Sequence, residues 1–165
     1  MHRKSIFILL FMLGGVILAA CSSIAPATAE TNNPSTVSEF SGAKLNLNTA
    51  TSDELVAAIP GFGSRMVREF QEYRPYISIQ QFRQEIGKYV DEAQIAEYEK
   101  YVYVPIAIND SDSATLQQIP GLDATKAEAL MAGRPYATTD AFLAKLSELV
   151  SADELETAKS YLENN

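Results

Sequence analysis

An all-α fold is predicted by two properties of this chain: it nearly repeats itself at an offset of 60 residues, and each copy is built from capped, amphipathic stretches separated by Pro and Gly. Ile59-Pro60-Gly61 returns as Ile119-Pro120-Gly121, Arg74-Pro75-Tyr76 as Arg134-Pro135-Tyr136, Phe82 as Phe142 and Tyr101 as Tyr161. Upstream of the Pro-Gly turn the offset is 61, so Leu47-Asn48 matches Ile108-Asn109 and Leu55 matches Leu116. That change places a one-residue deletion in the first helix of the second copy. Two copies of a helix, a Pro-Gly hairpin and a second helix therefore account for most of the chain, and they are expected to pack as one pseudo-twofold helical unit.

The elements follow in order. Thr51-Ser52-Asp53-Glu54 is a capping box ahead of Leu55, Val56 and Ile59, a pattern that breaks at Pro60-Gly61. Residues 64–73 carry Met66, Val67 and Phe70 at helical spacing, and Pro75 stops them. Ser78 opens a third helix with Ile79, Phe82 and Ile86 inward, ended by Gly87. Asp91 with Gln94 opens a fourth, carrying Ile95, Tyr98 and Tyr101. The second copy follows the same plan and closes with the capping box Ser151-Ala152-Asp153-Glu154 before Leu155, Ala158 and Leu162. Residues 44–48, 101–104 and 106–109 read as short extended connectors with at most a bridge or two of strand.

The first 20 residues have the character of an address. His2-Arg3-Lys4 is basic, residues 6–18 are almost wholly apolar, and Leu18-Ala19-Ala20 precede the single cysteine, Cys21. This segment resembles the lipobox of bacterial lipoproteins, which implies acylation of Cys21, a mature chain beginning there, and a lipid anchor on the extracytoplasmic face of a bacterial membrane. The alternatives are an ordinary cleaved secretion signal and a retained membrane helix; for the latter the apolar run falls short of the roughly 20 residues a span needs. An acylated lone cysteine leaves nothing for a disulfide. Residues 22–43, rich in Ser, Thr, Ala, Pro and Asn, cannot bury enough apolar surface to offset their ordering entropy and are expected to form a disordered tether with a reach on the order of 25 Å. The expected organisation is thus a signal at 1–20, lipidated Cys21 and linker to 43, a first repeat at 44–105 and a second at 106–165.

Charge restricts the partners. The chain carries 13 Lys and Arg against 21 Asp and Glu, a net −8, and without Arg3 and Lys4 the balance becomes −10. Residues 44–104 hold 7 basic and 9 acidic side chains, residues 106–165 only 4 and 10. A protein that binds nucleic acid chiefly by displacing counterions is expected to have the opposite balance. Catalysis is not expected: the only histidine is His2, the only cysteine is Cys21, and the carboxylates sit at caps without the alternating spacing of a calcium loop. Neither a cofactor nor a small-molecule substrate is suggested.

Leu45-Asn46-Leu47-Asn48-Thr49-Ala50, a short helix, Ile59-Pro60-Gly61-Phe62-Gly63 and a helix ending near a Pro-aromatic pair together resemble the helix-hairpin-helix family that includes the competence DNA receptor ComEA and the PsbU extrinsic subunit of photosystem II. The resemblance covers about residues 44–162 and is better in the first copy. It implies either DNA binding, as in ComEA, or docking to another extracytoplasmic protein, as in PsbU, because one module serves both.

For DNA, the chemistry is a hairpin whose two glycines, Gly61 and Gly63, permit a tight turn and close approach to a phosphate. The amides of Phe62, Gly63 and Ser64 are expected to point outward at the positive end of the second helix, with Arg65 and Arg68 adding phosphate contacts. Alternatively the Pro-Gly-x-Gly turn does no more than join two helices. In the second copy Asp123 replaces the second glycine and would set a carboxylate against phosphate, so that hairpin is expected to be structural, with Lys126 as its one compensating cation. Arg74-Pro75-Tyr76 and its counterpart are expected to end a helix, fill the core with Tyr, and place Arg at the helix C-terminus. Tyr98, Tyr101 and Tyr103 suit packing between the copies better than a stacking face for bases.

Overall fold

The computed structural model describes residues 42–163; the signal segment, Cys21 and the tether to residue 41 lie outside them. Eight helices and two very short strands make up the described part, so the protein is mostly helical. Strand β1 (Leu45–Asn46) leads to α1 (Ser52–Ala58), α2 (Ser64–Glu72), α3 (Ile79–Ile86) and α4 (Glu92–Tyr98). Strand β2 (Val102–Tyr103) then leads to α5 (Ser113–Leu116), α6 (Ala124–Ala132), α7 (Thr139–Leu146) and α8 (Ala152–Lys159).

Local chemistry explains where the helices begin. Both capping boxes form: Glu54 N–H donates to Thr51 Oγ1 and Thr51 N–H to Glu54 Oε2, and Ser151 pairs with Glu154 in the same way. Ser78, Asp91, Asp112, Asp123 and Thr138 each accept a backbone N–H three residues on, which satisfies a donor that a helix start otherwise leaves open. Helix α1 has seven residues and α5 four, a larger difference than the one-residue change of offset between Thr51–Ile59 and Asp112–Ile119.

Each half surrounds its own apolar cluster. The first is centred on Leu47, Leu55, Phe70, Phe82 and Ile86, the second on Ile106, Leu116, Leu130, Phe142 and Leu146, all shielded from solvent. Of the apolar pattern Leu55, Val56 and Ile59, Val56 is 52% exposed. In a helix of two turns only the stripe through Leu55 and Ile59 can reach the core, and position 56 is rotated about 100° from it.

The connector between the halves serves both clusters. Side chains of an extended segment alternate, so Val102 and Val104 enter the first cluster while Tyr103 enters the second; past Pro105 the alternation ends and Ile106 also enters the second. Tyr103 stacks on Tyr161 with ring centroids 4.5 Å apart and donates its hydroxyl to Ser160 O. Further links tie the halves together. The fully buried Thr115 Oγ1 accepts Ile79 N–H at 3.0 Å, and the Gln118 side-chain amide clamps Val104 by accepting its N–H and donating to its C=O.

The strands are parallel, with Leu45 opposite Val102 and Asn46 opposite Tyr103; Ile106 and Leu162 form an isolated parallel bridge. The two asparagines of the repeated motif have matching roles. Asn48 donates to Tyr76 O and accepts Tyr76 N–H at 2.9 and 2.8 Å, and Asn109 does the same to Tyr136 at 3.0 and 2.8 Å. Both Arg-Pro bonds of the Arg-Pro-Tyr motifs are cis. The arginines do not sit on the C-termini of their own helices, as expected from sequence. Arg74 donates to Ala50 O, and Arg134 to Ile108 O and Ser111 O, because the loop preceding α1 or α5 offers open carbonyls in the turn that the asparagine clamps.

Candidate nucleic-acid interface

Hairpin 1 is shaped by three residues with different jobs. Ile59 caps the C-terminus of α1, and the chain reverses through Pro60 and Gly61, whose φ of +69° lies in the left-handed region that favours glycine. Phe62 N–H closes the turn by donating to Ile59 O at 3.2 Å. This corrects the expectation that the Phe62 amide faces outward; the geometry of the turn requires it internally. The Phe62 ring is buried as well, edge-on to Phe70 at 4.7 Å and to Tyr98 at 5.4 Å, so it pins the hairpin to the core.

Gly63 differs from Gly61. Its φ of −89° and ψ of 161° are ordinary extended backbone, open to any residue, so the tight turn rests on one glycine and not two. Gly63 is the N-cap of α2, and having no side chain it leaves that helix without a side-chain cap. The exposed N–H groups of Gly63, Ser64 and Arg65 meet no acceptor among the described residues, as is true of their counterparts at Asp123, Ala124 and Thr125. They are open donors at the positive end of a nine-residue helix. Nothing lies within 4 Å of where a Cβ would stand at Gly61 or Gly63, so a ligand can approach the backbone itself.

Arg65 and Arg68 flank these amides but are not unattached. The Arg65 guanidinium lies 5.8 Å from the centroid of the Tyr89 ring, within cation–π range, and Arg68 Nη2 pairs with Glu69 Oε1 at 3.0 Å. Beside the hairpin an open groove of about 530 Å³ runs between α1 and α2, bounded by Asp53, Val56, Phe62, Ser64 and Val67.

Hairpin 2 has the same backbone and the opposite chemistry. Gly121 has φ +74°, and Leu122 N–H closes the turn on Ile119 O. Asp123, with φ −84°, has no left-handed strain to tolerate; it caps α6 by accepting Lys126 N–H at 2.9 Å. Lys126 Nζ is spent on Gly121 O at 2.6 Å. The Glu154 carboxylate packs so closely on Gly121 that a Cβ there would collide with it. Hydrogen bonds from Ser151, first the backbone N–H and then the hydroxyl, hold the Glu154 carboxyl below its ordinary range, so it is ionised at neutral pH. Two carboxylates therefore guard the mouth of hairpin 2.

Two participants were not apparent from sequence reading. Glu69 is buried on α2, the hairpin-1 helix; its spacing of four from Arg65 was a usable local signal. Tyr89, in the turn between α3 and α4, had none. Tyr98 belongs to the first cluster and Tyr103 to the second. Among the described residues, no group of three His, Cys, Asp or Glu side chains is placed to hold a metal ion, and no helix is long and apolar enough to cross a membrane. No family model, curated protein or solved structure matches the chain.

Proposed function

We propose that this chain is a non-enzymatic, tandem helix-hairpin-helix protein of the ComEA/PsbU-like kind, held outside the cytoplasm by a lipid on Cys21, and that hairpin 1 binds DNA through its phosphate backbone without sequence preference. The observation that carries this reading is the contrast between the hairpins. Hairpin 1 leaves the amides of Gly63, Ser64 and Arg65 open at the N-terminus of a helix that carries two arginines and has no carboxylate at its cap, whereas in hairpin 2 the Asp123 carboxylate sits at the cap on Lys126 N–H and Glu154 packs on Gly121. Open amides with a favourable dipole take an anion; a carboxylate fixed at the same helix end opposes one. The pseudo-twofold pairing of two repeats is part of the proposal, supported by the matched glycines, asparagine clamps and parallel bridges.

A second reading, a scaffold that docks another extracytoplasmic protein, is favoured by the net charge of −8 and by exposed Val56 on the groove beside hairpin 1. Gly63→Asp separates the two. It copies Asp123 into an N-cap with room for a side chain, so it should leave stability equal or raise it by a few tenths of a kcal/mol. In the DNA reading it should also cut affinity for a short duplex about tenfold or more, since the carboxylate takes Met66 N–H as Asp123 takes that of Lys126 and sets a negative charge against phosphate. A stable Gly63→Asp protein with undiminished DNA binding would remove hairpin 1 as the site.

Anchoring has its own test. In bacteria fed a labelled fatty acid, Cys21→Ala should carry no label and remain unprocessed, while the parent is labelled. Equal labelling of both would discard the lipoprotein reading.

A further inference from the structure

Glu69 occupies an unusual place for a carboxylate. Its side chain is only 6% exposed, on α2, the same helix that presents the open amides of hairpin 1. Charged groups are seldom buried without partners, and the partners here are the cations of the proposed phosphate site. Arg68 Nη2 lies 3.0 Å from Glu69 Oε1, and Arg65 stands one turn earlier on the same helical face. Arg65 also lies over the ring of Tyr89, whose hydroxyl meets the Tyr73 hydroxyl at 2.8 Å. Lys88, over the Tyr73 ring at 4.9 Å and paired with Glu85, closes the outer edge of the cluster.

We propose that Glu69 is a built-in competitor for Arg65 and Arg68 that holds down the affinity of hairpin 1 for a phosphodiester backbone. The inference rests on the phosphate-binding reading of hairpin 1 and adds how that site is tuned. Two guanidinium groups and one carboxylate leave a single net positive charge beside the open amides. The burial is unequal: the Arg68 side chain is 68% exposed and can swing to a phosphate, whereas Glu69 is enclosed and cannot follow or withdraw. A phosphate that recruits Arg68 must therefore break the pair and leave the carboxylate behind it. A hydrogen bond from the Tyr89 hydroxyl, and after it one from Arg68, keeps the Glu69 carboxyl below its ordinary range, so the competing charge is present throughout neutral pH.

The test uses full-length protein and a short duplex DNA, titrated at several salt concentrations. Glu69→Gln keeps the shape and an acceptor for the Tyr89 hydroxyl while removing the charge. It should tighten binding about two- to fivefold at low salt, the worth of one exposed ion pair, and steepen the salt slope by about 0.9 as Arg68 becomes a full phosphate contact. Glu128→Gln, at an exposed position of α6, changes the net charge equally and should do neither. Tyr89→Phe, which keeps the ring under Arg65 but loses the hydroxyl that holds Glu69, should shift affinity in the same direction by less, and serves if Glu69→Gln fails to fold. Parent binding that is lost on reversing both arginines, with Glu69→Gln no tighter than Glu128→Gln, overturns the competitor role and leaves the phosphate site standing. Absence of DNA binding by the parent and Glu69→Gln alike, even at low salt, overturns both.

Discussion

Reversing Arg65 and Arg68 together to Glu is expected to lower DNA affinity on the order of 100-fold at low salt and to flatten the salt slope by about 0.9, because each lost phosphate contact removes nearly one released counterion and Arg68, held by Glu69, is not a full contact in the parent. The parent should bind weakly to begin with, on the order of 10⁻⁴ to 10⁻⁶ M near physiological salt, and indifferently to sequence. Lys126→Glu in hairpin 2 is the matched control and should have little effect. Lys126 is already spent on Gly121 O, and Asp123 and Glu154 already oppose an anion there. Gel-shift or fluorescence anisotropy titrations measure both variants, and circular dichroism verifies that the reversed carboxylates beside Glu69 leave the helices intact. If the double reversal binds as the parent does, the phosphate site is not hairpin 1. If no protein binds even at low salt, the docking scaffold becomes the better account.

Phe70→Ala is expected to have the largest effect on stability. Its ring is fully buried at the meeting point of the first cluster, edge-on to Phe62 at 4.7 Å, Phe82 at 5.1 Å and Tyr98 at 5.4 Å. Removing it deletes transfer free energy, opens a cavity and breaks three favourable ring geometries, at a cost of about 3–5 kcal/mol. That is a large part of the roughly 5–15 kcal/mol typical of a domain. In urea titrations the midpoint should fall with little change in slope. One transition should carry both halves to the lower midpoint, since Tyr103, Thr115 and Gln118 bind them together. Two separated transitions, one of them unmoved, would mean that the repeats unfold independently and would sink the single-unit arrangement. Phe142→Ala, buried against Tyr136 in the second cluster, is the reciprocal test.

Much of the helical framework was legible because the chemistry that starts and stops a helix is local. Thr51 reaches Glu54, Ser151 reaches Glu154 and Asp91 reaches the backbone of Gln94 across three residues, so sequence order nearly fixes the geometry. Inward positions such as Leu55, Phe82 and Ile86 were equally plain from spacing, while Val56 was not, because a two-turn helix can touch the core with only one narrow stripe. The hairpins were legible as turns. Which of their amides stay open was not, since that depends on whether a donor finds an acceptor in space.

By itself, then, the sequence determined the helix starts, the left-handed glycine in each Pro-Gly turn and the acidic balance, all of which follow from composition or from neighbours within one turn of chain. Tertiary structure alone decided that Phe62 turns both ring and amide inward, that Asn48 clamps Tyr76 from 28 residues away, that Glu69 and Tyr89 surround the arginines of hairpin 1, and that Glu154 lies across Gly121 from 33 positions further along. The physical reason is the same in each case. A cap is made between residues the backbone already holds together, whereas the electrostatic character of a hairpin mouth is made by whichever side chains the packed helices deliver to it.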